Sequence, residues 1–137
     1  MEEALSERIL VLDGSWGVLI HRRELSEEEY RGDRFRDHSH DVKGDPDLLN
    51  LTRPHVIEEI HDAYFAAGAD IATTNTFTAT RIGQGDYALG DAAAEMSLEG
   101  ARLARAAADR WTEKTPDRPR FVAGSVGPLN VTLSLSP

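Results

Sequence analysis

The sequence contains no cysteine. Disulfide bridges, thiolate metal ligands and a cysteine nucleophile are therefore excluded from these residues. It also lacks any apolar run approaching the roughly 18 residues that mark a membrane-spanning helix. Basic residues are the minority. Lys and Arg number 15 against 24 Asp and Glu, for a net charge of −9, and no basic run occurs. That distribution leaves no electrostatic footprint for nucleic acid or an anionic membrane surface. The start, Met1-Glu2-Glu3, lacks the basic segment and apolar core of a signal peptide. A cytoplasmic protein is the expectation. What remains is an ordinary globular balance, 40% hydrophobic and 28% charged over 137 residues, which suits one domain.

Short apolar runs alternate with helical patterns. Ile9-Leu10-Val11-Leu12 ends at Asp13-Gly14-Ser15-Trp16-Gly17. A continuous apolar run closed by glycine predicts a strand buried on both faces, as in a parallel sheet. Residues 70–75 and 120–125 give two further strands, the third leaving through Val126-Gly127-Pro128. Between the first two, Thr52 is placed to cap a helix opening at Arg53-Pro54. Val56, Ile57, Ile60, Tyr64 and Ala67 form its apolar face, and Gly68 suits a left-handed end. A second helix spans about 91–115, with Met96, Gly100, Leu103, Ala104, Ala107 and Trp111 on one side. Residues 21–51 form a long polar loop with short helical pieces, one near Glu27.

This alternation predicts an α/β fold with parallel strands and right-handed crossovers. An open doubly wound sheet and a closed (β/α)8 barrel both fit. A barrel needs about 250 residues, so a barrel reading makes residues 1–137 a partial domain of about three βα units. Its sheet edge would be open, which favours self-association.

In parallel sheets, ligands bind at the carboxyl ends of strands. Asp13 stands at the first such end, where a carboxylate suits a substrate ammonium but also suits a turn cap. Gly14, Ser15, Trp16 and Gly17 offer backbone N–H groups that can cradle a carboxylate. They do not form a dinucleotide fingerprint. Thr73 and Asn75 fall on one face of the second strand and Thr74 on the other. Ser125 ends the third strand without a histidine near in sequence to activate it. His38 and His40 with Asp37 and Asp41 make a polar cluster better read as solvated surface than as a metal site. His55 and His61, six apart, do not share a helix face.

Several of these segments resemble the homocysteine S-methyltransferase family, in its cobalamin-dependent methionine synthase branch. Leu12-Asp13-Gly14-Ser15-Trp16-Gly17 is similar to its D-G-x-M-G-T loop. Asp33-Arg34-Phe35 and Lys43-Gly44-Asp45-Pro46-Asp47-Leu48-Leu49 resemble its R-F and K-G-N-N-D-L-L stretches. Leu51-Thr52-Arg53-Pro54 and Ile60-His61-Asp62-Ala63-Tyr64-Phe65-Ala66-Ala67-Gly68-Ala69-Asp70 resemble the following helix. Thr74-Asn75-Thr76-Phe77 matches the end of E-T-N-T-F, and Asp86-Tyr87 and Ala123-Gly124-Ser125-Val126-Gly127-Pro128 continue the series.

The resemblance implies the N-terminal portion of a (β/α)8 barrel that binds homocysteine at its strand ends. Asp13, Gly14, Ser15, Trp16, Thr73, Asn75 and Ser125 are then its substrate-binding candidates. It implies a zinc ion on three cysteines of later strands and a methyl group carried by cobalamin from a folate module. None of these cofactors is expected on residues 1–137 alone, since the cysteines are absent. The family's glutamate before T-N-T-F is Thr73 here, its loop methionine is Trp16, and its closing threonine is Val18. Three alternatives stay open: a non-catalytic binding module derived from the barrel, a cobalamin-independent methyltransferase using another donor, and an unrelated small α/β domain.

Overall fold

The fold was read from a computed structural model, which describes residues 1–131. After a short helix α1 (Glu2–Glu7) comes the segment 11–13, and after that α2 (Trp16–His21), α3 (Glu27–Arg31), α4 (Leu49–Thr52) and α5 (Pro54–Ala66). Strand β1 (Ile71–Thr73), helix α6 (Ala93–Lys114) and strand β2 (Phe121–Ala123) complete the order, with two 3-10 turns before α6.

β1 and β2 pair in parallel, Ile71 opposite Phe121 and Thr73 opposite Ala123. Leu12 bridges Ile71, also in parallel. The order is therefore 11–13, β1, β2, with β1 in the centre, as the βαβ alternation predicts. A carboxylate sets this order at its lower end. Asp70 is fully buried and accepts the Val11 N–H at 3.0 Å, Arg8 at 2.9 Å and Arg118 at 2.8 Å. Burial opposes its ionisation. The bonds from Arg8, Arg118 and Val11 outweigh that and hold its carboxyl far below the usual range.

One expectation about the first strand fails. Ile9 is 88% exposed, and Val11 and Leu12 are about half exposed. Only one residue of the run makes a sheet bridge. Burial on both faces needs a neighbour on each side, and the segment has β1 on one side only among the described residues. The strands are also shorter than the sequence predicts, three residues each against six.

α5 starts with Pro54 at its first turn, where a missing N–H costs nothing. Thr52 does not cap it: it ends α4, and its hydroxyl turns back to Leu48 O. The short turn of α4, abutting α5, displaced that role. Val56, Ile57, Ile60, His61 and Phe65 are buried, while Ala67 is exposed. Gly68 follows at φ +105°, as the glycine predicts, and Ala69 N–H closes the end onto Tyr64 O at 3.0 Å.

Residues 21–51 carry more of the core than their polarity implies. Tyr30, Val42, Leu48 and Leu49 pack with Ile20, Ile57, Ile60 and Met96. Ser26 and Glu29 form a capping box at α3. Glu27 then accepts the N–H groups of Val42 and Lys43, drawing that stretch onto the core. A second cluster joins Phe65, Ala69 and Ala72 to Ala107 and Ala108 of α6.

α6 begins at Ala93 rather than at Asp91, because Gly90–Ala92 takes a 3-10 turn. Its buried face is Ala93, Met96, Gly100, Ala104, Ala107 and Ala108. Gly100 is a close-approach position. A Cβ there would lie 2.7 Å from Asn50 Nδ2 and 2.8 Å from Thr76 Cγ2. Asn50 is buried and donates to Asn75 O and Met96 O, so it has nowhere to move. Alanine normally stabilises a helix interior over glycine by about 1 kcal/mol. We expect Gly100→Ala to destabilise instead, lowering the midpoint of urea unfolding. An unchanged or raised midpoint would show that the α6–Asn50 contact is loose.

Candidate functional site

The carboxyl ends of 11–13, β1 and β2 open into one cleft of about 330 Å³. Trp16 and Gly17 come from the first end, Thr73, Thr74, Asn75 and Phe77 from the second, and Ser125 from the third. Pro46 and Asp47 close it from the polar connection. A larger cleft of about 520 Å³ beside α3 is lined by Glu28, Arg31, Asp33, Arg36 and Arg53. Glu27 and Asp33 already pair with Arg31 and Arg36 there, so size does not decide the matter.

Asp13 sets the strand-end geometry. Its Oδ2 accepts Thr73 N–H at 2.8 Å and Trp16 Nε1–H at 3.2 Å. Its Oδ1 accepts the Thr73 hydroxyl at 2.9 Å. Burial raises its pKa, and the bonds from Thr73 and Trp16 partly offset the rise. Asp13 itself does not line the cleft; it fixes two residues that do.

Gly14 and Ser15 also stand behind the cleft. A Cβ on Gly14 would meet the Tyr64 hydroxyl at 3.2 Å, and that hydroxyl donates to Ser15 O at 2.8 Å. Ser15 precedes α2 without a side-chain capping bond. The Trp16 ring meets the His61 ring edge-on at 4.6 Å.

The turn after β1 is bonded on both sides. Asn75 Nδ2 donates to Pro46 O at 2.8 Å and to Asn50 Oδ1 at 3.1 Å. Thr74 Oγ1 accepts the Ser125 N–H at 2.9 Å, and Thr76 donates to Ser125 O at 2.8 Å. Thr73, Thr74 and Asn75 all line the cleft, so simple alternation does not hold here. The strand stops at Thr73, and the chain turns before a second face can form.

The structure thus brings Trp16, Thr73, Asn75 and Ser125 together and leaves Asp13, Gly14 and Ser15 as their support. Sequence reasoning missed Pro46, Asp47, Thr74, Phe77 and the buried His61. Asp47 lies inside the K-G-x-x-D-L-L stretch, the signal that could have found it. His38 bonds through Nε2 to Tyr87 O at 2.8 Å. Among the described residues no cluster of three His, Cys, Asp or Glu could hold a metal, and no helix is long and apolar enough to cross a membrane.

His61 is fully buried with no partner on either ring nitrogen. Burial pushes its pKa down from 6.5 to about 4. The unfolded chain takes up a proton below about 6.5 that the folded chain refuses until about 4, so acid in that window favours unfolding. We expect His61→Leu to lose less stability than the parent between those two pH values. Urea titrations across the range test it, and parallel pH profiles would contradict it.

Comparison with known proteins bears on the family and the fold. The sequence profile of the Homocysteine S-methyltransferase family matches residues 10–137. The metallated form of the homocysteine methyltransferase MmuM from Escherichia coli is similar, with a TM-score of 0.69 and 25% identity over 92% of this chain. Its oxidized form gives 0.70 and 26% identity over 90%. The chain spans about 40% of the length of those structures. The parallel strands and open sheet are therefore part of a homocysteine methyltransferase barrel. This chain belongs to the homocysteine S-methyltransferase family.

Proposed function

We propose that this segment forms homocysteine-binding wall of a methionine synthase, working in a complete barrel where a methyl group passes to the homocysteine thiol. One observation carries the reading: three parallel strand ends share a single cleft, with Asp13 fixing Thr73 and Trp16 at its mouth. A small zwitterion suits such a cleft, which offers hydroxyl, amide and apolar groups within one volume. The choice of methionine synthase, with its cobalamin and folate modules, rests on the Lys43-Gly44-Asp45-Pro46-Asp47-Leu48-Leu49 stretch.

The residues present do not fit the family's zinc. The sequence has no cysteine, and the described His, Asp and Glu form no ligand cluster. Thiol activation therefore has no source in this segment, whose part is to bind and orient.

Two outcomes test the reading. Residues 1–137 alone should take up no stoichiometric zinc; metal analysis finding one tightly held ion per chain would contradict this. In the complete barrel, Asp13→Ala should abolish homocysteine binding, because Thr73 and Trp16 lose their common anchor. Calorimetry showing unchanged affinity would count against the site.

A further inference from the structure

Arginines stand before the first and third of the parallel segments. Arg8 precedes 11–13, and Arg118 and Arg120 precede β2. Parallel pairing brings these positions to one end of the sheet, opposite the cleft. One carboxylate, Asp70, answers all three. Its Oδ2 holds Arg8 Nη1 at 2.9 Å, and its Oδ1 holds Arg118 Nε at 2.8 Å. Arg120 forms no ion pair among the described residues. Its Nη1 donates to Arg118 O. It is 5% exposed, and its Nε and the Arg8 Nη2 are buried without a hydrogen-bond partner.

Three positive charges thus meet one negative charge. A guanidinium does not relieve such an excess by losing its proton. Burial lowers the pKa of Arg120, the charges of Arg118 and Arg8 lower it further, and Asp70 opposes them. Buried charge without compensation and buried donors without acceptors are both costly. Glu7 does not supply the balance: it is exposed and attracts Arg8 without pairing with it. The excess is local, because the whole chain carries −9.

The group is open to solvent on one side. The Arg8 and Arg118 side chains are 34% and 42% exposed. Arg118 spends Nε on Asp70 and Nη2 on Gly68 O, which leaves Nη1 to donate elsewhere. Guanidinium groups recognise the oxygens of carboxylate, sulfate and phosphate by charge-assisted bonds. We infer that the base of the sheet is an oxyanion site, in which Arg8 and Arg118 hold the anion and Arg120 adds charge from behind. One chemistry fits it from two sources: a free oxyanion, or an acidic side chain from the part of the barrel that this chain does not supply.

Inorganic sulfate is the probe, because its charge is constant near neutral pH. With chloride adjusted to hold ionic strength fixed, sulfate should raise the thermal unfolding midpoint of the 137-residue chain. The rise should follow a binding curve with a dissociation constant on the order of 1 mM. Stabilisation by exclusion of sulfate from the surface shows no such half-point. Arg120→Met removes the buried charge and keeps an apolar stem. In chloride it should unfold at a higher temperature than the parent. It should also weaken the sulfate affinity by about ten-fold or more, the range of a charged pairing. Arg36→Met, which removes an exposed charge beside α3, should respond as the parent does. A response without a half-point, or one that Arg120→Met retains within about two-fold, would overturn the site.

A second measurement needs no variant. In nitrogen-edited NMR of the unaltered chain, the Nε–H signals of Arg8, Arg118 and Arg120 should move along one curve with sulfate. Those of Arg36 and Arg53, in the cleft beside α3, should stay. Movement of that second pair alone would overturn the assignment. The complete barrel separates the two sources. A sulfate response that persists there marks a free oxyanion. Its loss, with a barrel carboxylate within about 4 Å of Arg8 or Arg118 in a crystal structure, marks a side chain. Loss without such a carboxylate would count against the site.

Discussion

Parallel registration of three chain segments is the constraint on which the site depends, and two carboxylates impose it from opposite ends. Asp70 gathers Arg8, Val11 N–H and Arg118 at the base of the sheet. Asp13 gathers Thr73 and Trp16 at the top. Three-residue strands offer few ladder bonds, so these side-chain bonds carry much of the alignment. A shift of one residue in 11–13 would turn Asp13 away from Thr73 and leave its carboxylate half-buried without donors.

Behind the strand ends, α5 and α6 fix the turns that make the cleft. Asn50 ties the β1 exit to α6, and Gly100 lets the helix come close enough for that bond. Tyr64 and His61 of α5 support the opposite rim through Ser15 and Trp16. The rim is thus held by buried helices and the floor by the 45–47 turn. The open outer edge, with Ile9, Val11 and Leu12 exposed, lies on the side away from β1. The chain covers about 40% of the solved relatives, whose barrels extend beyond what it supplies.

Periodic features were legible in the sequence. The apolar faces of α5 and α6, the glycine end at Gly68 and the parallel order all follow from spacing and turn chemistry. What was not legible depends on partners far along the chain. The run 9–12 has the composition of a doubly covered strand, yet burial depends on neighbours that composition does not reveal. Thr52 has capping chemistry, but the preceding turn of α4 took it into a helix. Asp47 sits in a polar stretch with no periodic signal, and its bonding partner Thr78 lies 31 residues on. His61 was weighed only as a metal partner for His55; its burial without partners leaves no mark in the sequence.

The central claim is that the three strand ends form one amino-acid pocket. A crystal structure of the complete barrel with bound homocysteine tests it most directly. The account places the ligand against Trp16, Thr73, Asn75 and Ser125. Homocysteine seated elsewhere in the barrel, with these residues facing only solvent or each other, would contradict it.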